Sequence, residues 1–409
     1  MKQWIKIGLL SSTALASSQV QATNFSVDGR IDAMGGAGTA SADYLTGVFY
    51  NPALVAIYSR KDDAGLLLPS IGLQVVDKDN MIDDLDNLVK AYDKLDTAGA
   101  SQALADLSGD AAQIQMGTAI AFAIPNRYLS MNFFAKATLE SVSIADVEKQ
   151  NYGSSIDPAM ANVFDISYAT VDAAAIGVAE FGVAFSGYTN FLGQNFTVGI
   201  SPKIQKTYTF NYSASAVDFE FKDMKDNYES GDTSLNFDVG TVWFNGPWRF
   251  ALAGKNLISQ EIQTKETSIT VGLTDADIRR LSGDTSYTGG PGKQTRLRQY
   301  TYKMEPIYTA GIAFMTNYFV LTADVDLNEQ ERFVELDDNM QMLRVGAEFD
   351  LLYQIQLRGG FKKDLAGTYD DALTAGIGFS PLNMFHLDLA AIYSKDSTYG
   401  VSVNMAYEY

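Results

Sequence analysis

One histidine, His386, is the whole imidazole complement of this 409-residue chain, and Asp388 stands two residues beyond it. A Ser-His-Asp hydrolase needs its imidazole to bridge a nucleophile and an orienting acid, and no Gly-x-Ser-x-Gly elbow occurs anywhere in the sequence. There is no cysteine, so a thiol nucleophile, a zinc-thiolate site and an iron-sulfur cluster are all ruled out. Gly35, Gly36 and Gly38 in the run Met34-Gly35-Gly36-Ala37-Gly38-Thr39 raise the question of a phosphate cradle. A P-loop would close with Gly-Lys-Ser/Thr, and a dinucleotide fold would carry its third glycine in register between a strand and a helix; the run supplies neither. The acidic runs Asp77-Lys-Asp79-Asn80 and Glu335-Leu-Asp337-Asp338 could attract calcium or magnesium, but neither follows the EF-hand order with Gly at six and Glu at twelve. They read as solvated loops. No catalytic residue, metal ligand or cofactor is assigned, and the chain is expected not to be an enzyme.

The elements that hold these residues begin with an export sequence. In MKQWIKIGLLSSTALASSQVQA, Lys2 and Lys6 precede an apolar run from Ile7 to about Ala16, and Val20-Gln21-Ala22 ends it in the A-x-A manner. This predicts a secretory signal peptide over 1-22, cut after Ala22. The apolar run is shorter than the roughly 20 residues a helix needs to cross a bilayer. No later stretch is long and apolar enough for an inner-membrane helix. A formal charge of -19 opposes nucleic acid as a direct partner, because phosphate binding needs clustered Lys and Arg. Stability without disulfides must come from packing and hydrogen bonds.

Period-two alternation then dominates. Phe319, Leu321, Ala323 and Val325 share one face while Thr322, Asp324 and Asp326 share the other; Phe385, Leu387, Leu389 and Tyr393 oppose His386 and Asp388. Short links at Pro125-Asn126-Arg127, Asn245-Gly246-Pro247, Thr316-Asn317, around Asp350 and at Pro381-Leu382-Asn383 alternate strictly with long polar ones such as 258-295, 327-340 and 362-371. That is the pattern of an outer-membrane barrel with short periplasmic turns, longer outer loops, a polar interior and an apolar exterior. The strands expected lie at 65-75, 114-124, 128-140, 174-188, 195-210, 233-244, 248-258, 298-315, 318-326, 341-350, 352-361, 372-380, 384-393 and 399-409. The fold class is therefore all-β: a transmembrane antiparallel β-barrel of about 14 strands, an even number that returns both ends to one side. Closure follows because an open sheet edge in hydrocarbon would leave backbone groups unsatisfied.

Three segments depart from this pattern. From Asp77 to Leu107, Ile82, Leu85, Leu88, Val89, Tyr92 and Leu95 recur at three and four, predicting an amphipathic helix in an outer loop of about 77-110, followed after a break at Ala98-Gly99-Ala100 by a second helix over Gln102 to Leu107. It is either a packed lid or a gate and partner surface. Ahead of the barrel, Asn51 precedes Pro52, so it is pushed out of helical space and the chain turns sharply into Ala53. Gly35, Gly36 and Gly38 let backbone run close to a wall or reach positive φ, and Tyr44, Phe49 and Tyr50 can wedge against inward side chains. The last strand puts Val401, Val403, Met405, Tyr407 and Tyr409 on one face and ends on an aromatic.

The combination Arg30-x-x-x-Met34-Gly35-Gly36-Ala37-Gly38 followed by Asn51-Pro52-Ala53-Leu54-Val55-Ala56 resembles the N-terminal hatch of FadL-like outer-membrane transporters. With Ala40-Ser-Ala-Asp-Tyr44, Gly65-Leu-Leu-Leu-Pro69 and the acidic helix after Asp77, the chain looks more closely like the TraF-like family of exported barrels named for plasmid conjugal transfer, which is distinct from the thioredoxin-like TraF of pilus assembly. The resemblance implies a hatch over 23-64 inside the lumen and a barrel over 65-409, with Gly35, Gly36, Gly38, Asn51, Pro52 and Ala53 as the hatch motif. Tyr407 and Tyr409 resemble the C-terminal signal read by barrel insertion machinery, where Phe is the commoner last residue. Implied partners are outer-membrane lipid, a hydrophobic small-molecule ligand and the conjugation apparatus. Passive transport of hydrophobic or small molecules and a conjugal surface or assembly role without transport both remain open, as does whether the hatch moves.

Overall fold

Alternation of apolar and polar side chains makes each strand two-faced, and the only way to hide every edge of such a sheet is to close it. The computed structural model describes residues 27–59, 63–77, 79–94, 96–147, 165–220, 223–224, 228–276, 279, 285, 292–336, 338–351, 354–381, 384–394 and 398–409. The expected signal peptide, 1-22, residues 23-26 and 60-62 of the expected hatch, and Leu95 of the expected helix lie outside them.

Strands in chain order are β1 (Gly65–Val76), β2 (Ala111–Ile124), β3 (Ser130–Asp146), β4 (Thr170–Phe191), β5 (Gln194–Ser215), β6 (Tyr228–Asn245), β7 (Trp248–Lys255), β8 (Gln260–Gln263), β9 (Thr267–Val271), β10 (Gln294–Arg298), β11 (Thr301–Met304), β12 (Ile307–Met315), β13 (Phe319–Asp326), β14 (Gln330–Glu331), β15 (Asn339–Met340), β16 (Met342–Leu351), β17 (Ile355–Asp364), β18 (Ala372–Phe379), β19 (Phe385–Ser394) and β20 (Thr398–Glu408). Fourteen of them close a barrel in the order β1 to β7, β12, β13, β16 to β20, and β20 returns to pair antiparallel with β1. The remaining six pair as β9 with β10, β8 with β11 and β14 with β15, all within links on the long-link side.

Three expectations need correction. Residues 298–315 do not form one strand: Gln294–Arg298 and Thr301–Met304 pair within the links, and only Ile307–Met315 joins the wall. Pro306 explains the break, since it has no N–H to donate to a continuing ladder. The strict alternation of link lengths fails once, because β19 ends at Ser394 and β20 begins at Thr398, a short link on the long-link side. The helical link breaks earlier than expected: α2 spans Met81–Asp93 and α3 spans Thr97–Asp106, so Ala98-Gly99-Ala100 lies inside a helix. The Asp96 carboxylate caps α3 by accepting the Gly99 N–H at 3.0 Å, which offsets the low helix propensity of that glycine. Met81, Leu85 and Leu88 form the buried face of α2, whereas Ile82 and Tyr92 are exposed.

Along β20 the buried Thr398, Gly400, Ser402, Asn404 and Ala406 alternate with Val401, Tyr399 and Tyr407, which are 59%, 59% and 41% exposed. At the foot of the wall the exposed rings of Tyr128, Phe191 and Tyr318 sit beside the short turns, and Trp248 packs edge-on against Phe314 at 4.9 Å, the arrangement of an interfacial aromatic girdle. The register of β1 shifts between Leu67 and Ser70 against β2 and between Leu67 and Ile71 against β20. Pro69 lies in that gap and cannot donate to a ladder; the Ser70 hydroxyl substitutes, donating to Ala119 O at 3.1 Å and accepting from Ala119 N at 3.2 Å.

Candidate functional site

Residues 27–59 have no strand of their own and satisfy their backbone from the inward face of the barrel. A short helix, α1 (Gly29–Ala33), starts at Asp28, whose carboxylate accepts from Arg30 N and Ile31 N. Gly29 N donates to Asn404 Oδ1 of β20 at 2.7 Å. The Thr374 hydroxyl of β18 accepts from Gly35 N and donates to Ala33 O, both at 2.9 Å. Thr39 N donates to Asp324 of β13 at 2.7 Å, and Asn132 of β3 donates to Leu45 O at 2.8 Å. Lys255 of β7 and Ser186 of β4 donate to Phe49 O and Ala53 O, each at 3.0 Å. These partners come from around the wall, so the segment spans the lumen.

The glycines act through close approach. Gly35 and Gly36 have φ of +71° and +86°, and a Cβ on Gly35 would come within 2.7 Å of Phe361 O and 2.9 Å of Val345 O, backbone atoms of β17 and β16. Gly38 keeps negative φ; a Cβ there would meet the Tyr50 ring at 2.7 Å. The wall answers with glycines of its own: Gly360 lies against the Met34-Gly35 backbone, and Gly199 against Pro52-Ala53. Gly199 was not singled out in the sequence, because a glycine in a strand shows only that something comes close.

At Asn51-Pro52-Ala53 the extended Asn51 leads into a 3₁₀ helix over Pro52–Ala56. Pro52 occupies a first-turn position where its missing N–H is not needed. Asn51 is fully buried; its Oδ1 accepts from Ala53 N at 3.0 Å and its Nδ2 donates to Thr39 O at 3.1 Å, joining the two halves of the segment. Phe49 meets Phe134 edge-on at 5.8 Å.

Charge docks the segment as well. Arg30 grips Glu348 of β16 with two nitrogens at 2.8 and 3.1 Å; Arg358 bridges Glu348 and Asp388, both at 2.6 Å, and Asn404 donates to Asp388 at 3.1 Å. Each carboxylate in this chain has a charged or amide partner, which is what makes burial in a lumen tolerable. His386 does not join it through Asp388. Its Nδ1 lies 2.8 Å from Ser380 Oγ and its Nε2 lies 3.5 Å from Glu408. The ring nitrogens are reversed relative to a hydrolase triad, and the buried Ser380 hydroxyl is also bonded to Gln356.

Above the segment is a cavity of ≈ 90 Å³ whose lining includes Lys136, Lys255, Arg344, Lys362, Asp324 and Glu140. This volume suits several waters, far short of the roughly 300 Å³ at which pockets for larger ligands begin. The link between β13 and β16 folds inward over it. Arg332 of that link is fully buried, donating to Glu140 of β3 at 2.8 Å and to Asp338 at 2.7 Å, and its guanidinium lies 5.2 Å from the Tyr369 ring centroid. Burial alone would lower the Arg332 pKa, but Asp338 and Glu140 together raise it above its ordinary value. Two expected solvated acids are thus buried: Asp338 is held by Arg332 and Tyr369, and Asp77 caps the start of α2. Arg332 was not foreseen; a lone arginine among acids gives no hint that its partner is on β3. At the carboxy end, the exposed Tyr407 and Tyr409 lie at the barrel seam, where Tyr409 O accepts from Asp63 N at 2.6 Å and Ala64 N at 2.8 Å.

The sequence matches the profile of a family described as F plasmid transfer operon, TraF, protein over residues 48–326. No curated protein matches it. Among solved structures, the Pseudomonas putida toluene transporter TodX is 11% identical with a TM-score of 0.51, covering 95% of this chain and 98% of its own. A Pseudomonas aeruginosa FadL homologue is 12% identical with a TM-score of 0.50, covering 96% and 99%. At such identities the likeness is one of fold.

Proposed function

The chain belongs to the TraF family of the F plasmid transfer operon, and from that premise we propose that it is an outer-membrane barrel of transport type whose N-terminal residues 23-64 are a hatch closing a 65-409 barrel. The observation that carries this reading is a segment, residues 27–59, bonded to strands around the inside of a closed wall. Gly35, Gly36, Gly38, Asn51, Pro52 and Ala53 are its docking motif. An apolar exterior suits lipid. The signal peptide at 1-22 directs export and is cleaved after Ala22, and insertion machinery reads Tyr407 and Tyr409. Short turns then face the periplasm and the long links, with α2 and α3, face outward.

Passive passage of small polar solutes fits the cavity better than passage of hydrophobic ones. Lys136, Lys255, Lys362 and Arg344 line it, and a hydrocarbon that displaced their water would leave charged groups without hydration. Planar-bilayer recording separates the possibilities. The whole protein is expected to conduct little, and a variant lacking residues 27–59 to conduct ions steadily; equal conductance in both would sink the hatch as the closure.

A second reading, a scaffold for conjugal transfer without transport, is favoured by the Arg332 link, which closes the lumen a second time. It predicts that deletion of the gene lowers plasmid transfer while solute uptake is unchanged. Normal transfer in the deletion strain would dismiss it.

A further inference from the structure

The helical link leaves the wall between two aspartates. Asp77 follows the last residue of β1 and Asp110 precedes the first of β2, and Val76 pairs with Gln113 across the ladder, so both acids lie at the foot of the α2 and α3 pair. Each is only 7% exposed. Asp77 Oδ2 accepts from Ile82 N at 3.3 Å, yet Asp77 Oδ1 and Asp110 Oδ2 are buried without any hydrogen-bond partner. Burial, and then the surrounding carboxylates of Asp79, Asp84, Asp77 and Asp106, push the Asp110 carboxyl up to about 7.

A single orphaned carboxylate oxygen can be satisfied by a proton. Two of them at the ends of paired strands form a hard-oxygen environment that favours a cation. Calcium accepts irregular shells of six to eight oxygens from carboxylates, backbone carbonyls and water, whereas magnesium demands a near-ideal octahedron. Among the described residues no three acidic or imidazole side chains are already gathered around one point. The shell would therefore combine two protein carboxylates with carbonyls and water.

We propose that Asp77 and Asp110 together bind a calcium ion that ties the α2 and α3 pair to the ends of β1 and β2. The test is hydrogen exchange of the α2 and α3 amides in the full-length protein in detergent, comparing calcium chloride, magnesium chloride and EDTA. Sites of this kind have dissociation constants of roughly 0.1–1 mM, so about 10 mM calcium is expected to slow exchange by roughly 10- to 100-fold, with a much smaller effect of magnesium. Asp110→Asn is expected to abolish the calcium response. Because it removes repulsion, its exchange in EDTA should be no faster than that of the unaltered protein. Identical exchange of the unaltered protein in calcium and EDTA overturns the proposal, as does an equal response to magnesium or an Asp110→Asn protein that still responds. The first two comparisons need no variant, so they decide the matter even if Asp110→Asn does not fold.

Discussion

Arg332 is the residue on which most buried charge converges at the mouth. Glu140 and Asp338 both depend on it, at 2.8 and 2.7 Å, and removing one member of a buried ionic group strands the others at a cost of about 3–5 kcal/mol. Arg332→Gln is therefore expected to loosen the link between β13 and β16, seen as protease cleavage within 327–341 while the barrel keeps its heat-modifiable mobility on gels. An uncleaved link would mean that Phe333 against Tyr302, at 5.0 Å, holds it instead. Glu305 gives a second prediction at this scale. It is 4% exposed, and burial raises its carboxyl to about 7, with Lys303 opposing and Glu331 and Glu261 adding to the rise. A raised carboxyl pKa stabilises the folded protein most below the unfolded value and loses that contribution as pH climbs through the folded one. Between about pH 4.5 and 7 the region should weaken by an amount on the order of 1–3 kcal/mol. Glu305→Gln should remove that pH dependence from hydrogen exchange of the β8 and β11 hairpin, after correction for intrinsic rates.

Elements are set partly by local pattern and partly by what they meet. The 3₁₀ helix at Pro52–Ala56 is local: Asn51 caps it and Pro52 starts it. Its capping residue also reaches Thr39 O and Thr241 O, so Asn51→Ala removes a cap and leaves a buried carbonyl short of a donor, costing about 1–3 kcal/mol. The expected result is earlier proteolysis within residues 27–59 with unchanged barrel insertion. Loss of the folded band on gels would instead make this segment a folding element. The β20 end is decided by its partner strand. Tyr409 ties its backbone to Asp63 and Ala64 across the seam. Tyr409→Phe should assemble normally, whereas deletion of Tyr409 should lower the yield of folded barrel in membranes, measured as the heat-modifiable fraction.

At the scale of the whole molecule, a closed wall, an inner segment and an infolded link enclose a small charged cavity, and the functional readings turn on whether the inner segment or the link moves. Much of this was legible in the sequence, because strand periodicity is a local property: residues two apart in Phe385–Tyr393 or Tyr399–Tyr409 declare which face meets lipid without knowledge of any neighbour. The glycine cluster at Gly35, Gly36 and Gly38 likewise declared that backbone must pass close to something. Where Pro306 ends a ladder, and where Asp96 restarts a helix after α2, the local signals were present but competed with longer apolar patterns that suggested other boundaries. The pairings of Arg332 with Glu140 and of Arg30 with Glu348 were not legible, since each joins residues from distant parts of the chain. The sequence by itself determined the two-faced strands and their closure, because an unpaired sheet edge has no satisfactory partner in hydrocarbon. Only the tertiary structure decided which acids are buried and which cation answers each of them, because that depends on which side chains closure brings together inside the lumen and at its mouth.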